Sequence, residues 1–319
     1  KGVKNGTSLN LEFKEMKQFE SITELKRFLT VPYVEEIAVQ SLRLTEIEPL
    51  MLNIRFSRCL FLGCSMSDDL LHHLLPGNFI FPLLDVPFNT YPSRLHDTDS
   101  LYAGFNRHKL KTFLKSPDKV VYDYYRESRK NLSIKDTLAQ RLHDHSITDS
   151  LHEYIASFDE RKLVAIMGGH GILRTEHIYR QVVLLSKSLT EQGYLMLSGG
   201  GPGAMEATHL GAWMAGRGDN ECLRAVGILS AAPRYSDEGW LSSAFEVMER
   251  FPDPPFDSLG IPTWHYGHEL PTPFATKIAK YFENSIREEG LLAIAKGGVV
   301  FTPGSAGTLQ EVFQDLAQN

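Results

Sequence analysis

The chain is poor in the features that staple, anchor or charge a protein. Three cysteines, Cys59, Cys64 and Cys222, stand among 319 residues, too few for a disulfide framework. Four residues separate Cys59 from Cys64, and no second cysteine pair or nearby His-x-x-x-His completes a zinc site with them. A reducing compartment fits this usage. No apolar run approaches the roughly 18–20 residues of a membrane span. The opening Lys1-Gly-Val-Lys-Asn-Gly-Thr-Ser lacks the apolar core of a signal peptide. Positive charge is not in excess either: 33 Lys and Arg face 39 Asp and Glu, a net charge of −6. That balance argues against general binding to nucleic acid or anionic membranes. There is no internal repeat and no low-complexity tract. The expectation is a soluble, cytoplasmic protein.

What is present is ordinary globular material, long enough for about two domains and a large core. The two halves read differently. Residues 1–155 hold short mixed elements and are expected to form an N-terminal mixed α/β domain. Ser21 to Leu29 reads as a helix, with Ser21 and Glu24 placed for a capping box. Pro49 interrupts Glu46 to Asn53. Arg58 to Cys64 reads as a buried strand, Ser67 to Leu75 as a helix with a Ser/Asp cap. Asn78 to Leu84 reads as a strand that Pro82 places at an edge or an end. Tyr91 to Asp99 is a polar loop. Asn131 to Phe158 is polar, helical in tendency, and expected to link the halves.

From residue 156 to 319 the pattern is regular. Strands are expected at Leu163–Met167, Tyr194–Ser198, Ala225–Leu229 and Gly298–Thr302. Helices are expected at His177–Gln192, Ala204–Ala215, Phe274–Ala295 and from Leu309. Alternating strands and helices predict a Rossmann-like parallel sheet with helices on both faces. The chain stops inside the last expected helix, so this domain is expected to be incomplete at its C-terminal end.

Glycine-rich turns follow three of the strands, at the strand ends where open α/β sheets bind ligands. Gly199-Gly-Gly-Pro-Gly-Ala-Met-Glu opens a helix, so its glycines would let backbone approach a phosphate. It is not the dinucleotide fingerprint in its usual place, because it follows the second strand. A tight turn without ligand remains open. Pro303-Gly-Ser-Ala-Gly-Thr-Leu-Gln-Glu repeats the arrangement at the fourth strand. It contains no G-K-[ST], which disfavours NTP hydrolysis of the Walker type. Thr308 could hold a phosphate oxygen, or form a capping box with Glu311.

This pair of loops, about a hundred residues apart, resembles the two signatures of the LOG ("Lonely guy") family, long labelled lysine decarboxylases. The family's second motif is P-G-G-x-G-T-x-x-E. With Met167-Gly-Gly-His-Gly added, the likeness is nearest to the bacterial nucleotide 5′-monophosphate nucleosidases of that group. It covers about Leu163 to Asn319. Two departures stand out: Ser305 replaces the second glycine, and Glu288 replaces the lysine of the family's R-K-x-x-M segment, where Arg287 matches the arginine. The resemblance implies a phosphoribohydrolase that splits nucleoside 5′-monophosphates into free base and ribose 5-phosphate, working as a homodimer or larger homo-oligomer, without metal or redox cofactor.

The same resemblance implies a catalytic Glu311 and Arg287. A carboxylate near the anomeric carbon stabilises an oxocarbenium-like centre or activates water. A guanidinium binds phosphate or holds that carboxylate in place. Pro303, Gly304, Ser305, Ala306, Gly307 and Thr308 would hold the 5′-phosphate. Gly168, Gly169 and His170, with Arg174 beyond them, would line the base or ribose side, and Gly199, Gly200, Gly201, Gly203 and Glu206 complete the expected substrate contacts. Glu206 is equally a first-turn acid favoured by the helix dipole.

Two alternatives stay open. A non-catalytic nucleotide- or cofactor-binding protein, of the molybdenum-cofactor-carrier type, would account for Ser305 and Glu288. A regulatory protein would bind a signalling nucleotide through residues 1–155. Weaker features include His72 and His73, adjacent on a helix and so on different faces, and His143, His145 and His152, too unevenly spaced for zinc. Lys277 and Lys280 read as solvated lysines. Arg55, Arg58 and Arg94 are candidates for an anion effector site. Phe251-Pro-Asp-Pro-Pro-Phe-Asp reads as a rigid loop, a lid or an interface piece.

Overall fold

The apolar runs near the N-terminus are short, and they become strands of three or four residues. The computed structural model describes residues 16–131, 133–304 and 306–318. The opening Lys1 to Ser8, Ser305 and Asn319 lie outside the described residues. The chain forms two compact units, Lys1–Leu84 and Asp85–Asn319, whereas the sequence suggested a division at 155/156.

The first unit runs β1 (Lys17–Phe19), α1 (Ile22–Phe28), β2 (Tyr33–Glu35), β3 (Ile37–Gln40), α2 (Glu48–Met51), β4 (Arg55–Ser57), β5 (Leu60–Leu62), α3 (Asp68–Leu74) and β6 (Phe79–Phe81). A four-stranded parallel sheet has the order β1-β3-β5-β6, and β2 pairs with β4 in a second, two-stranded sheet. Phe19, Leu25, Val39, Phe61, Leu70 and Leu74 form part of this unit's core. The strand before Pro82 is at the sheet edge, where a missing N–H breaks no ladder. Ser67 caps α3 by accepting from the Leu70 N–H. Ser21 starts α1 but its side chain makes no capping bond, so the expected box with Glu24 is not formed. Pro49 sits in the first turn of α2 rather than breaking it, because the first-turn N–H has no helical partner to lose.

The second unit continues with α4 (Thr98–Leu101), α5 (Pro117–Ser128), α6 (Ile134–Ile155), β7 (Leu163–Met167), α7 (His177–Glu191), β8 (Leu195–Ser198), α8 (Ala204–Trp213), α9 (Asp219–Leu229), α10 (Trp240–Arg250), β9 (Ser258–Gly260), β10 (Lys277–Ile278), α11 (Asn284–Ile294), β11 (Gly298–Phe301) and α12 (Ala306–Gln318). Its five strands are parallel, in the order β10-β9-β8-β7-β11. Side chains alternate along a strand, and β7 divides accordingly. Val164 and Ile166 pack with α7, α8, α9 and α10 on one face. Leu163, Ala165 and Met167 pack with Ile147 and Leu151 of α6 and Leu291 and Leu292 of α11 on the other. This is the Rossmann-like parallel sheet with helices on both faces.

Three local expectations are corrected. Ala225 to Leu229 is not a strand but the end of α9. Cys222, Ala225, Val226 and Leu229 are its buried residues, spaced as one helical face, and the Glu221 carboxylate accepts from the Gly218 N–H at the start. The third strand in sequence is β9 instead. Phe274 to Ala295 is not one helix: its first part is extended, with the Ala279 and Tyr281 N–H groups donating to Gly260 and Pro262 carbonyls at 2.9 and 3.0 Å. Lys280 is not solvated. It is fully buried, ion-paired with Asp118, which also accepts from the Trp264 indole at 3.0 Å.

Candidate active site

The winding order fixes where a ligand belongs. From β7 the chain steps outward through β8, β9 and β10, then returns to the other side of β7 as β11. The reversal lies between β7 and β11. Open α/β sheets bind ligands in the crevice at the carboxyl ends of such strands. The chain leaves β7 through Gly168–His170, and it leaves β11 through Pro303 and Gly304 toward the start of α12.

The two loops touch through backbone. The Gly169 N–H donates to the Pro303 carbonyl at 3.2 Å, and a Cβ on Gly168 would fall 1.8 Å from Thr302 Oγ1. Any side chain there would push the strands apart. Above them opens a cleft of about 270 Å³, lined in part by Gly168, His170, Glu269, Arg287, Thr308 and Glu311.

Arg287 comes from α11 and Glu311 from α12. Asp144 of α6 positions α11, accepting from the Phe282 and Glu283 N–H groups at 2.9 and 2.8 Å. Arg287 Nε donates to the Ile261 carbonyl at 2.9 Å. This leaves Nη1 3.8 Å from Glu311 Oε1 and 3.8 Å from Glu288 Oε1. Burial pushes the Glu311 carboxyl above the usual carboxylate range; Arg287 opposes that shift and Glu288 reinforces it. Glu288 is also held by Asn284 Nδ2, 2.7 Å away.

The remaining expected residues are distributed as follows. Thr308 is nine-tenths buried and lies inside the first turn of α12 rather than capping it. Gly307 lines the cleft; Pro303, Gly304 and Ala306 are exposed. Ser305 lies outside the described residues. The Gly199–Gly203 loop serves close packing. A Cβ on Gly199 would meet the Arg287 guanidinium at 2.2 Å, and one on Gly203 would meet the Gly169 carbonyl at 2.4 Å. Gly200 and Gly201 abut Pro262 and Met205.

Gly203 has φ of +70°, a conformation in which other residues are strained. Gly203→Ala is therefore expected to destabilise by about 1–3 kcal/mol from backbone strain alone, with the clash added. A thermal melt followed by circular dichroism should show a lower midpoint; an unchanged midpoint would contradict this account.

Glu206 lies away from the Arg287–Glu311 pair. It is fully buried, bound by Arg174 and by the Tyr179 hydroxyl at 2.9 Å. Arg174 and Glu206 border a second cleft of about 380 Å³, whose walls include His170, Gly203, Arg234 and Tyr235. His170 is thus common to both clefts. Its ring meets Tyr235 edge to face, centroids 5.8 Å apart, and its Nδ1 is 3.5 Å from Glu269 Oε1.

Glu269 is the residue that sequence reasoning missed. It sits in Tyr266-Gly-His-Glu, which carries no motif, and only the fold brings it to the cleft. His143 is buried against Trp264 and Phe282. Arg58 pairs with Glu35 and Glu36. Among the described residues, no group of three or more His, Cys, Asp and Glu could hold a metal ion, and no helix is long and apolar enough to cross a membrane. No family model matches the chain, and no curated protein matches it either.

Proposed function

We propose that the protein is a phosphoribohydrolase of the LOG type, cleaving the N-glycosidic bond of a nucleoside 5′-monophosphate to free base and ribose 5-phosphate. One observation carries the reading: a guanidinium and a largely buried carboxylate stand 3.8 Å apart in a cleft at the sheet's switch point. The start of α12 and Thr308 suit the 5′-phosphate, since helix N-termini favour anions. Glu311 then faces the ribose. As the base departs, positive charge grows on the ribosyl ring, and the carboxylate stabilises it and takes a proton from the attacking water. Arg287 keeps that carboxylate ionised and oriented. A cytoplasmic homodimer or larger homo-oligomer goes with this reading.

The test is chromatography of free base and ribose 5-phosphate from AMP, GMP, IMP, CMP and UMP, with Glu311→Ala and Arg287→Ala run alongside. Base release from one or more substrates, lost in both variants, is the expected result. Tight monophosphate binding without release would make the protein a nucleotide carrier instead.

A further inference from the structure

Cleavage of a glycosidic bond to nitrogen leaves an electron pair on the departing base, and a poor leaving group needs a proton at that moment. Arg287 cannot supply it, because a guanidinium does not give up its proton in proteins. Glu311 is engaged with the ribosyl centre and the water. Imidazole is the side chain suited to donate a proton near neutral pH.

His170 meets that need in the same cleft. It extends from the loop after β7, and both it and Glu311 line the cavity. Its Nδ1 faces Glu269 Oε1 at 3.5 Å, and the Glu269 side chain is only 15 % exposed. The Glu269 N–H is tied back to the Tyr266 carbonyl at 2.8 Å, which fixes the turn. On the other side the Tyr235 ring packs edge to face on the imidazole. The charged and titratable groups around His170 are Glu269 and Tyr235 in contact, His268 3.8 Å from the same Glu269 oxygen, Tyr266, Arg287, Glu288 and Glu311 lining the rest of this cleft, and Arg174, Glu176, Glu206 and Arg234 in the second cleft. A carboxylate behind an imidazole fixes the orientation of the ring and of its N–H.

We propose that His170 is the general acid that protonates the leaving base, with Glu269 as its positioning residue. The inference rests on the phosphoribohydrolase reading and adds the second half of its chemistry. The C1′–N bond breaks and its electron pair passes to the base, which takes the proton of the His170 imidazolium. Water adds at C1′ and gives a proton to Glu311. Solvent then restores the proton to His170 and removes the one on Glu311. The sum is monophosphate plus water to base plus ribose 5-phosphate.

The experiment compares two leaving groups: the best nucleoside monophosphate of the panel, and p-nitrophenyl β-ribofuranoside 5-phosphate, whose nitrophenolate departs without a proton. His170→Ala should lose about 100-fold or more in kcat on the nucleotide, at the scale of general acid catalysis, and less than about 10-fold on the nitrophenyl glycoside. His170→Asn and Glu269→Gln should show the same asymmetry, smaller for Glu269→Gln; a residue that merely held the loop would affect both substrates alike. Glu311→Ala should lose both activities. Equal losses on the two substrates in the His170 variants would overturn the acid role while leaving the hydrolase reading intact. So would a wild type that cleaves the nucleotide but not the nitrophenyl glycoside, since that substrate needs no acid. A wild type that cleaves neither overturns the hydrolase reading and the acid role with it.

Discussion

Arg174→Ala is expected to destabilise the second unit by about 3–5 kcal/mol, the scale for removing one partner of a buried ion pair. Arg174 is 1 % exposed and Glu206 is fully buried. The guanidinium donates to both Glu206 oxygens, to Ser243 Oγ at 2.8 Å, and to the Ala232 and Trp240 carbonyls at 3.1 Å each. Its plane also lies 4.8 Å from the Trp240 ring centroid. Alanine removes the cation and strands a carboxylate away from water, with the Tyr179 hydroxyl as the donor left to it among the described residues. Replacing both partners should cost much less, because no unpaired charge remains. The check is urea denaturation of Arg174→Ala, Glu206→Ala and Arg174→Met/Glu206→Met. A single variant within about 1 kcal/mol of wild type would show that the site is hydrated or able to relax. The effect reaches the ligand side, since this pair joins the loop after β7, α8 and the turn before α10, all around the second cleft beside His170.

Much of the second unit was legible because parallel strands buried on both faces read as unbroken apolar runs. Leu163–Met167 is such a run, and all five residues are buried. The same rule misread Ala225–Leu229. Five apolar or small residues in a row look like a strand, but the helical face begins earlier, at Cys222, and only the longer window separates a period of 3.6 from a run. Phe274–Ala295 failed for a different reason. Its first half was expected to be helix, with Lys277 and Lys280 as solvated lysines. Lys280 is buried because Asp118, 162 residues away in sequence, supplies its counter-charge, and no local pattern records that. Of the candidate cleft, Glu311 and Arg287 entered through the family resemblance, and the fold brings them 3.8 Å apart. Glu269 was not, because its position follows from the course of the chain between β9 and β10. Glu206 was read either as a substrate contact or as a first-turn acid; it is an acid in the first turn of α8, fully buried and bound by Arg174 and Tyr179.

Glu311→Gln is expected to lower kcat for base release by about 10²–10⁴-fold, the range for loss of a positioned acid–base group, with far less effect on monophosphate binding. Glutamine keeps the shape but can neither take the water's proton nor oppose the positive charge on the ribosyl ring. The pH dependence follows from the same environment. The active form is the carboxylate, so activity falls as pH drops through the Glu311 pKa. Burial raises that pKa, Arg287 lowers it and Glu288 raises it. The acid limb of kcat/KM should therefore lie above the range of an ordinary glutamate. Glu288→Gln removes a raising influence and should move the limb to lower pH. Arg287→Ala removes the lowering influence and should move the limb to higher pH, besides reducing the rate. A Glu288→Gln limb that does not move, or a Glu311→Gln rate within about tenfold of wild type, would place the reacting carboxylate elsewhere. Glu269, across the same cleft, would then be the next residue to substitute.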